Sequence, residues 1–332
     1  NSALFALMST LIFLGFWRLI SRSFATAWIV AVAMSPWLVA AARNLYWSPW
    51  MWLAPAAATF LLLVSKAWWT RLASLFLVTG AFALKYVLTG YEIFTSITIF
   101  AMSIPLLALV LWVERRQANR RLILDSILVG TASAVAFLFA LSLQAWILSG
   151  NILLGAQKIW NDTILRRTWG NADEQDPIFS GSLEASPIVV IRRYLLPEWW
   201  WRTDFLAFSF DRFGSVFALS LGGTAFFLTL CACLAVVVIH AGRRDRRWRR
   251  DGTLIFLGFL VAASWFIAAK GHSYIHTHVL FFLWYLLLAP AILFVLVSFA
   301  RPLFGRLGAA IARVYEPEAQ VDAMPQRESE SL

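Results

Sequence analysis

The 332 residues are 61% hydrophobic and only 14% charged, with 18 tryptophans and a mean hydropathy of +0.72. Soluble domains are about half apolar and about one quarter charged, so a soluble reading is excluded and the chain falls among integral membrane proteins. The net charge of +10 sits in short loops between apolar stretches, where basic residues set topology, so nucleic acid is not an expected partner.

A helix needs about 20 mostly apolar residues to cross the hydrocarbon core, and nine segments approach that length. They cover residues 3–20, 24–42, 50–65, 72–89, 93–113, 122–149, 213–239, 253–269 and 279–300. The expected fold class is therefore an all-α membrane protein with about nine transmembrane helices. Helices one to six occupy residues 1–149 and helices seven to nine residues 213–300. Between them, residues 150–212 form one large loop domain, and residues 301–332 form a polar, partly disordered tail.

The short loops after spans one, three, five and seven carry fourteen basic residues, from Arg18 and Arg22 through Lys66, Arg71, Arg115, Arg116, Arg120 and Arg121 to the six arginines within 243–250. The short loops of the other set hold only Arg43 and Lys270, with Lys85 just inside a span. The positive-inside rule then places the fourteen-charge side and the C-terminus in the cytoplasm and the long loop outside. The chain starts at Asn1 without Met and without a basic n-region, so it reads as lacking an N-terminal part rather than as opening on a signal peptide.

With that sidedness the unusual polar sequences collect on the outer face. Arg43-Asn-Leu-Tyr46-Trp comes first, followed by Lys85 with Gly90-Tyr91-Glu92. The long loop, with eight carboxylates and seven basic residues, and finally Lys270-Gly-His272-Ser-Tyr-Ile-His276-Thr-His278 complete the set. Within the long loop, Arg192 and Arg193 match phosphate oxygens bidentately or pair with Asp204 or Asp211. The run from Pro197 to Leu206, with three successive tryptophans, suits a helix lying at the headgroup level. Asp173, Glu174 and Asp176 sit in a turn-rich run that reads as a loop.

His272 and His276 are spaced to share one helical face, and with His278 they suggest a divalent metal, the one cofactor considered; no HExxH-type base accompanies them. The competing reading is that they donate hydrogen bonds or partial positive charge to an anion. No GxxxxGK[ST] and no strand-linked GxGxxG occurs, so direct nucleotide use is unsupported. Asp125, beside Arg120 and Arg121, reads as a neutralised structural acid. Cys231 and Cys233 point to different helix faces and cannot form a mutual disulfide.

The succession of Ser35-Pro-Trp37, Arg43 to Trp47, Gly90-Tyr-Glu92, a large later outer loop and the Lys270 to His276 loop resembles polytopic bacterial glycosyltransferases of the GT-C type. The resemblance covers most of the apolar chain. It implies transfer of a sugar from a polyprenyl-phosphate donor to a hydroxyl of a glycan, lipid or protein acceptor on the extracytoplasmic face. It also implies a carboxylate base in the first outer loop, here expected upstream of Asn1, with Glu92 helping to position substrate. Arg43, Tyr46, Lys85, Tyr91, Glu92, Arg192, Arg193, Lys270, His272 and His276 become the expected substrate- and phosphate-binding set. The alternatives are an O-antigen polymerase or ligase acting on lipid diphosphates, and a lipid or solute transporter, although no internal repeat of the transporter kind is detected.

Overall fold

The computed structural model describes residues 1–44, 47–111, 119–174, 177–195, 204–212, 215–276 and 280–315. It is mainly helical. In chain order the helices are α1 (Ser2–Leu19), α2 (Arg22–Ala33), α3 (Pro36–Arg43), α4 (Trp50–Val64), α5 (Trp68–Thr89), α6 (Phe94–Leu111) and α7 (Asn119–Ser149). After them come α8 (Ile152–Ile159), α9 (Pro177–Glu184), α10 (Pro187–Leu195), α11 (Gly223–Gly242), α12 (Arg247–Ala268), α13 (Lys270–Ile275), α14 (Leu283–Leu286) and α15 (Leu288–Tyr315).

Among the described residues, α1, α5, α6, α7 and α12 are long and apolar enough to cross a membrane, five helices in all. The count becomes six if the bent pair α2–α3 forms one span; Trp50–Val64, Phe226–Gly242 and Leu288–Pro302 are apolar but shorter. This is the composition and architecture of a multi-pass helical membrane protein, with five or six full-length candidate spans among the described residues against the nine expected.

The departures have local causes. The expected span over 24–42 breaks by 63° because Ser35 Oγ accepts from the Leu38 amide at 3.1 Å and Pro36 opens a new helix, a standard N-terminal signal. Proline also steers the residue before it away from helical geometry. The expected span over 279–300 is interrupted between α14 and α15, and the Trp28 indole donates to the freed Leu286 carbonyl at 3.1 Å. Of the stretch expected to begin span seven, residues 215–222 form instead one strand of an antiparallel pair, β1 (Asp204–Arg212) with β2 (Ser215–Gly222); residues 213 and 214 lie outside the described residues. The register of the pair runs from Asp204 opposite Gly222 to Arg212 opposite Ser215. The recurring aromatic residues of this stretch favour strand over helix. Asp204 to Leu206 of the expected Trp-rich helix are thus strand, and the rest of that helix lies outside the described residues.

Two ends of the bundle are tied by different polar chemistry. At one, Arg71 at the start of α5 hydrogen-bonds and ion-pairs with Asp125 of α7, whose side chain is 0% exposed. Arg121 Nε lies 3.7 Å from the same carboxylate, and its guanidinium donates to the Ser65 carbonyl after α4. Asp125 is thereby the neutralised structural acid expected of it. At the opposite end, Lys85 late in α5 approaches the turn into α6, and Gln144 of α7 donates to the Tyr86 carbonyl at 3.2 Å. Helices pack closely in between. A Cβ on Gly258 of α12 would stand 2.6 Å from Leu288 Cα, so the α12 and α15 backbones touch where only glycine fits.

Candidate functional site

Four segments converge at the Lys85 end of the bundle: the start of α4, the α5–α6 turn, the segment after α8, and α13. The turn is unusually shaped. Gly90 has φ +72° and Ile93, β-branched and buried, has φ +56°. A β-branched residue in the left-handed region costs energy and persists only where its surroundings dictate it. Lys85 supplies that constraint. Its side chain is 1% exposed, and its ammonium donates to the carbonyls of Gly90 at 2.6 Å and Glu92 at 2.7 Å. The backbone is thereby folded around a cation and Glu92 is thrust outward.

Glu92 meets Arg167, whose Nη1 lies 3.0 Å from Oε1, the two side chains being 33% and 36% exposed. Arg167 is delivered by an irregular feature. After α8 the chain winds as a π-helix over Trp160–Leu165, then presents Arg166, Arg167 and Trp169 toward the turn. Wide π-helical turns of this kind occur often at functional sites. Gly271 in α13 lets that segment pack close, since a Cβ there would come within 3.3 Å of the Arg167 carbonyl oxygen.

Three cavities meet at Glu92. The first, of 490 Å³, is lined by Trp47, Trp52, Lys85 and Thr89 as well as Glu92. The second, of 280 Å³, is lined by Trp47, Glu92, Arg166, Arg167, His272 and His276. The third, of 330 Å³, is walled by aromatic rings, among them Tyr91, Phe137, Trp160, Trp169 and Trp265, with Glu92 and Arg167 among its lining residues. Two donors in this aromatic cavity, the Tyr91 hydroxyl and the Trp265 indole Nε1, are buried and find no hydrogen-bond partner among the described residues. A buried polar group left unpaired costs about 1–3 kcal/mol, so the cavity wall carries two donors ready for an acceptor. Burial pushes the Tyr91 hydroxyl up to about 12, keeping it protonated and a donor at neutral pH.

The His272 and His276 rings lie 4.4 Å apart between centroids. Burial, then the neighbouring His276 and the Arg167 charge, push the His272 imidazole down to about 3. At neutral pH it is therefore uncharged and works by hydrogen bonding alone. Among the described residues no group of three or more His, Cys, Asp or Glu side chains is placed to hold a metal ion. His278, the third expected ligand, lies outside the described residues.

Of the residues expected from sequence, Lys85, Tyr91, Glu92, His272 and His276 come together here, while Tyr46 lies outside the described residues. Lys270 is placed otherwise. It donates to the carbonyls of Leu183 and, at 3.0 Å, Ala185, and lies 5.0 Å from the Trp169 ring centroid, so it fastens the end of α9 to α13. Burial holds its ammonium below the ordinary lysine range. Arg193 also binds protein, stacking 3.8 Å over the Tyr274 ring and donating to the Tyr274 carbonyl. Arg43 and Arg192 are exposed and line none of the three cavities. Arg166 and Arg167 were the residues missing from the expected set. Their signal was a doubled arginine followed by Thr168 and Trp169, a pattern as conspicuous as Arg192-Arg193.

Comparison with family models, with curated proteins and with solved structures returns no match to this chain.

Proposed function

We propose that this chain is an integral membrane glycosyltransferase that moves a sugar from a polyprenyl-phosphate donor to an acceptor hydroxyl on a glycan, lipid or protein. Its site is the Glu92 junction, on the extracytoplasmic face of a bacterial inner membrane. The observation that carries the reading is the meeting of a basic cavity and an aromatic cavity at one carboxylate, with two donors in the aromatic wall that have no partner among the described residues. Sugar rings are recognised by stacking on aromatic faces together with hydrogen bonds that fix their hydroxyls, and this wall offers both. Phosphate oxygens are matched by guanidinium groups, which Arg166 and Arg167 place next door.

In the transfer, the bond between the sugar's anomeric carbon and the donor phosphate breaks as the acceptor oxygen forms its own bond to that carbon, and the acceptor's hydroxyl proton passes to a carboxylate general base of the kind the GT-C resemblance implies. Negative charge accumulates on the departing polyprenyl phosphate, and Arg166 and Arg167 stabilise it where it develops. Glu92, oriented by Arg167, accepts hydrogen bonds from sugar or acceptor hydroxyls. Lys85 acts one step back by holding the Gly90–Glu92 backbone in place.

The doubled arginine also suits a diphosphate, the donor group of an O-antigen polymerase or ligase. Reconstituted protein supplied in parallel with a polyprenyl-monophosphate monosaccharide and a polyprenyl-diphosphate oligosaccharide separates the two readings by mass spectrometry of products. Product from the monophosphate donor, reduced about 100-fold in Arg167→Ala, supports the transferase. Product from the diphosphate donor alone favours the alternative, while product from neither donor, or product that does not depend on Arg167, overturns the reading.

A further inference from the structure

The opposite end of the bundle holds a separate cavity that the proposed transfer does not use. Between the end of α6 and the α11–α12 turn lies a 660 Å³ space whose described lining includes Arg244, Arg246, Arg249, Arg250, Trp248 and Val110. One of the four guanidiniums is committed. Arg250 donates to Asp251 at 2.7 Å, and the opposite oxygen of that buried carboxylate faces His240 Nδ1 at 3.1 Å. The other nearby carboxylate, Asp245, accepts from the Arg247 amide at 3.0 Å and faces the Arg247 side chain, which does not line the cavity. Arg249 rests beside the Trp248 ring at 5.4 Å, and among the described residues no carboxylate pairs with Arg244, Arg246 or Arg249.

We infer that this cavity binds the headgroup of an acidic phospholipid. Its chemistry is that of a phosphate ester receptor: three guanidiniums paired with no carboxylate among the described residues, which grip phosphate oxygens bidentately, around a volume in the range of small-molecule sites. Its place argues for a lipid over a soluble anion. The arginines stand at the ends of apolar helices, and Val110 and Trp248 add an apolar and an aromatic wall of the sort found where headgroups meet acyl chains. The positive-inside rule assigns this same end to the cytoplasmic leaflet, where acidic lipids attract basic clusters. Arg244, at φ +53°, sits in the left-handed region, an unfavourable backbone geometry for a side-chain-bearing residue that turns the chain at the cavity edge.

Native mass spectrometry of the purified full chain, after incubation with equal amounts of phosphatidylglycerol and phosphatidylcholine, tests the inference. The protein should retain phosphatidylglycerol in preference by about fivefold or more, and Arg246→Gln with Arg249→Gln should cut that retention about tenfold. Arg243→Gln with Arg247→Gln removes the same charge from residues that do not line the cavity and should leave retention intact. Arg246→Gln alone, at an exposed position, should give an intermediate loss and guards against misfolding of the double variant. Equal loss in both double variants reduces the effect to diffuse charge and overturns the site. Displacement of the lipid by millimolar inorganic phosphate identifies a soluble-anion site instead and overturns the lipid assignment, as does absence of any preference.

Discussion

Asp125→Ala is the perturbation whose cost can be worked most directly from the structure. The carboxylate is wholly buried in α7, faces Arg71 of α5 and has Arg121 at 3.7 Å. Removing one member of a buried ion pair costs about 3–5 kcal/mol, because the remaining charge is left uncompensated. Here the remaining charges are not fully stranded. Arg71 is 20% exposed and Arg121 is 43% exposed and keeps its bond to the Ser65 carbonyl. The expected destabilisation is therefore reduced to about 2–3 kcal/mol. Unfolding in mixed micelles, followed by tryptophan fluorescence, measures it, and a double-mutant cycle with Arg71→Ala isolates the pair. The cycle should return a coupling of about 1.5–2 kcal/mol. Loss below about 0.5 kcal/mol with no coupling would mean that α5 and α7 do not meet through these groups, and the polar lock at this end of the bundle would be wrong.

Three further outcomes follow from the opposite end. Because His272 titrates near 3 in the folded protein and near 6.5 when unfolded, the unfolded chain takes up a proton between those values that the folded protein refuses. Stability should fall on acidification from pH 6.5 toward 3 at up to about 1.4 kcal/mol per pH unit, His272→Gln should flatten that limb, and an unchanged limb in the variant refutes the assignment. Tyr91→Phe should leave the ligand-free protein as stable or up to about 1 kcal/mol more stable, since it deletes a buried hydroxyl with no partner among the described residues, while weakening binding of the lipid-linked sugar about tenfold by titration. Lys270→Met should lower stability by about 1–3 kcal/mol by freeing the Leu183 and Ala185 carbonyls without a matching change in ligand affinity; a selective affinity loss would return Lys270 to the phosphate site.

Much of the architecture is written in hydropathy and charge. The long apolar stretches become helices because their backbone groups must be satisfied within the segment, and α5, α6, α7 and α12 follow their expected ranges closely. What hydropathy does not encode is where an apolar stretch bends or changes state. The Ser35-Pro36 break and the β1–β2 strand pair are decided by capping and by extended-chain preference, which average out in a window of span length. The site was legible in part for a similar reason. Lys85, Glu92 and His272 stand out because polar residues amid apolar ones are conspicuous. Lys270 and Arg193 were equally conspicuous, yet their charges are consumed by carbonyls and a tyrosine ring from segments distant in sequence. Arg166 and Arg167 reach the site only through the π-helical turn before them, a backbone feature with no sequence signature here.

In the proposed function a lipid-linked sugar sits where the basic and aromatic cavities meet. A polyprenyl-phosphate sugar carrying a diazirine on its sugar ring, irradiated with the reconstituted protein and mapped by peptide sequencing, tests it most directly. Labelling should concentrate on Tyr91, Glu92 and the stretch from Thr163 to Trp169, be competed away by unlabelled donor and be lost in Arg167→Ala. Labelling that avoids these residues, or that persists unchanged in Arg167→Ala, would contradict that placement.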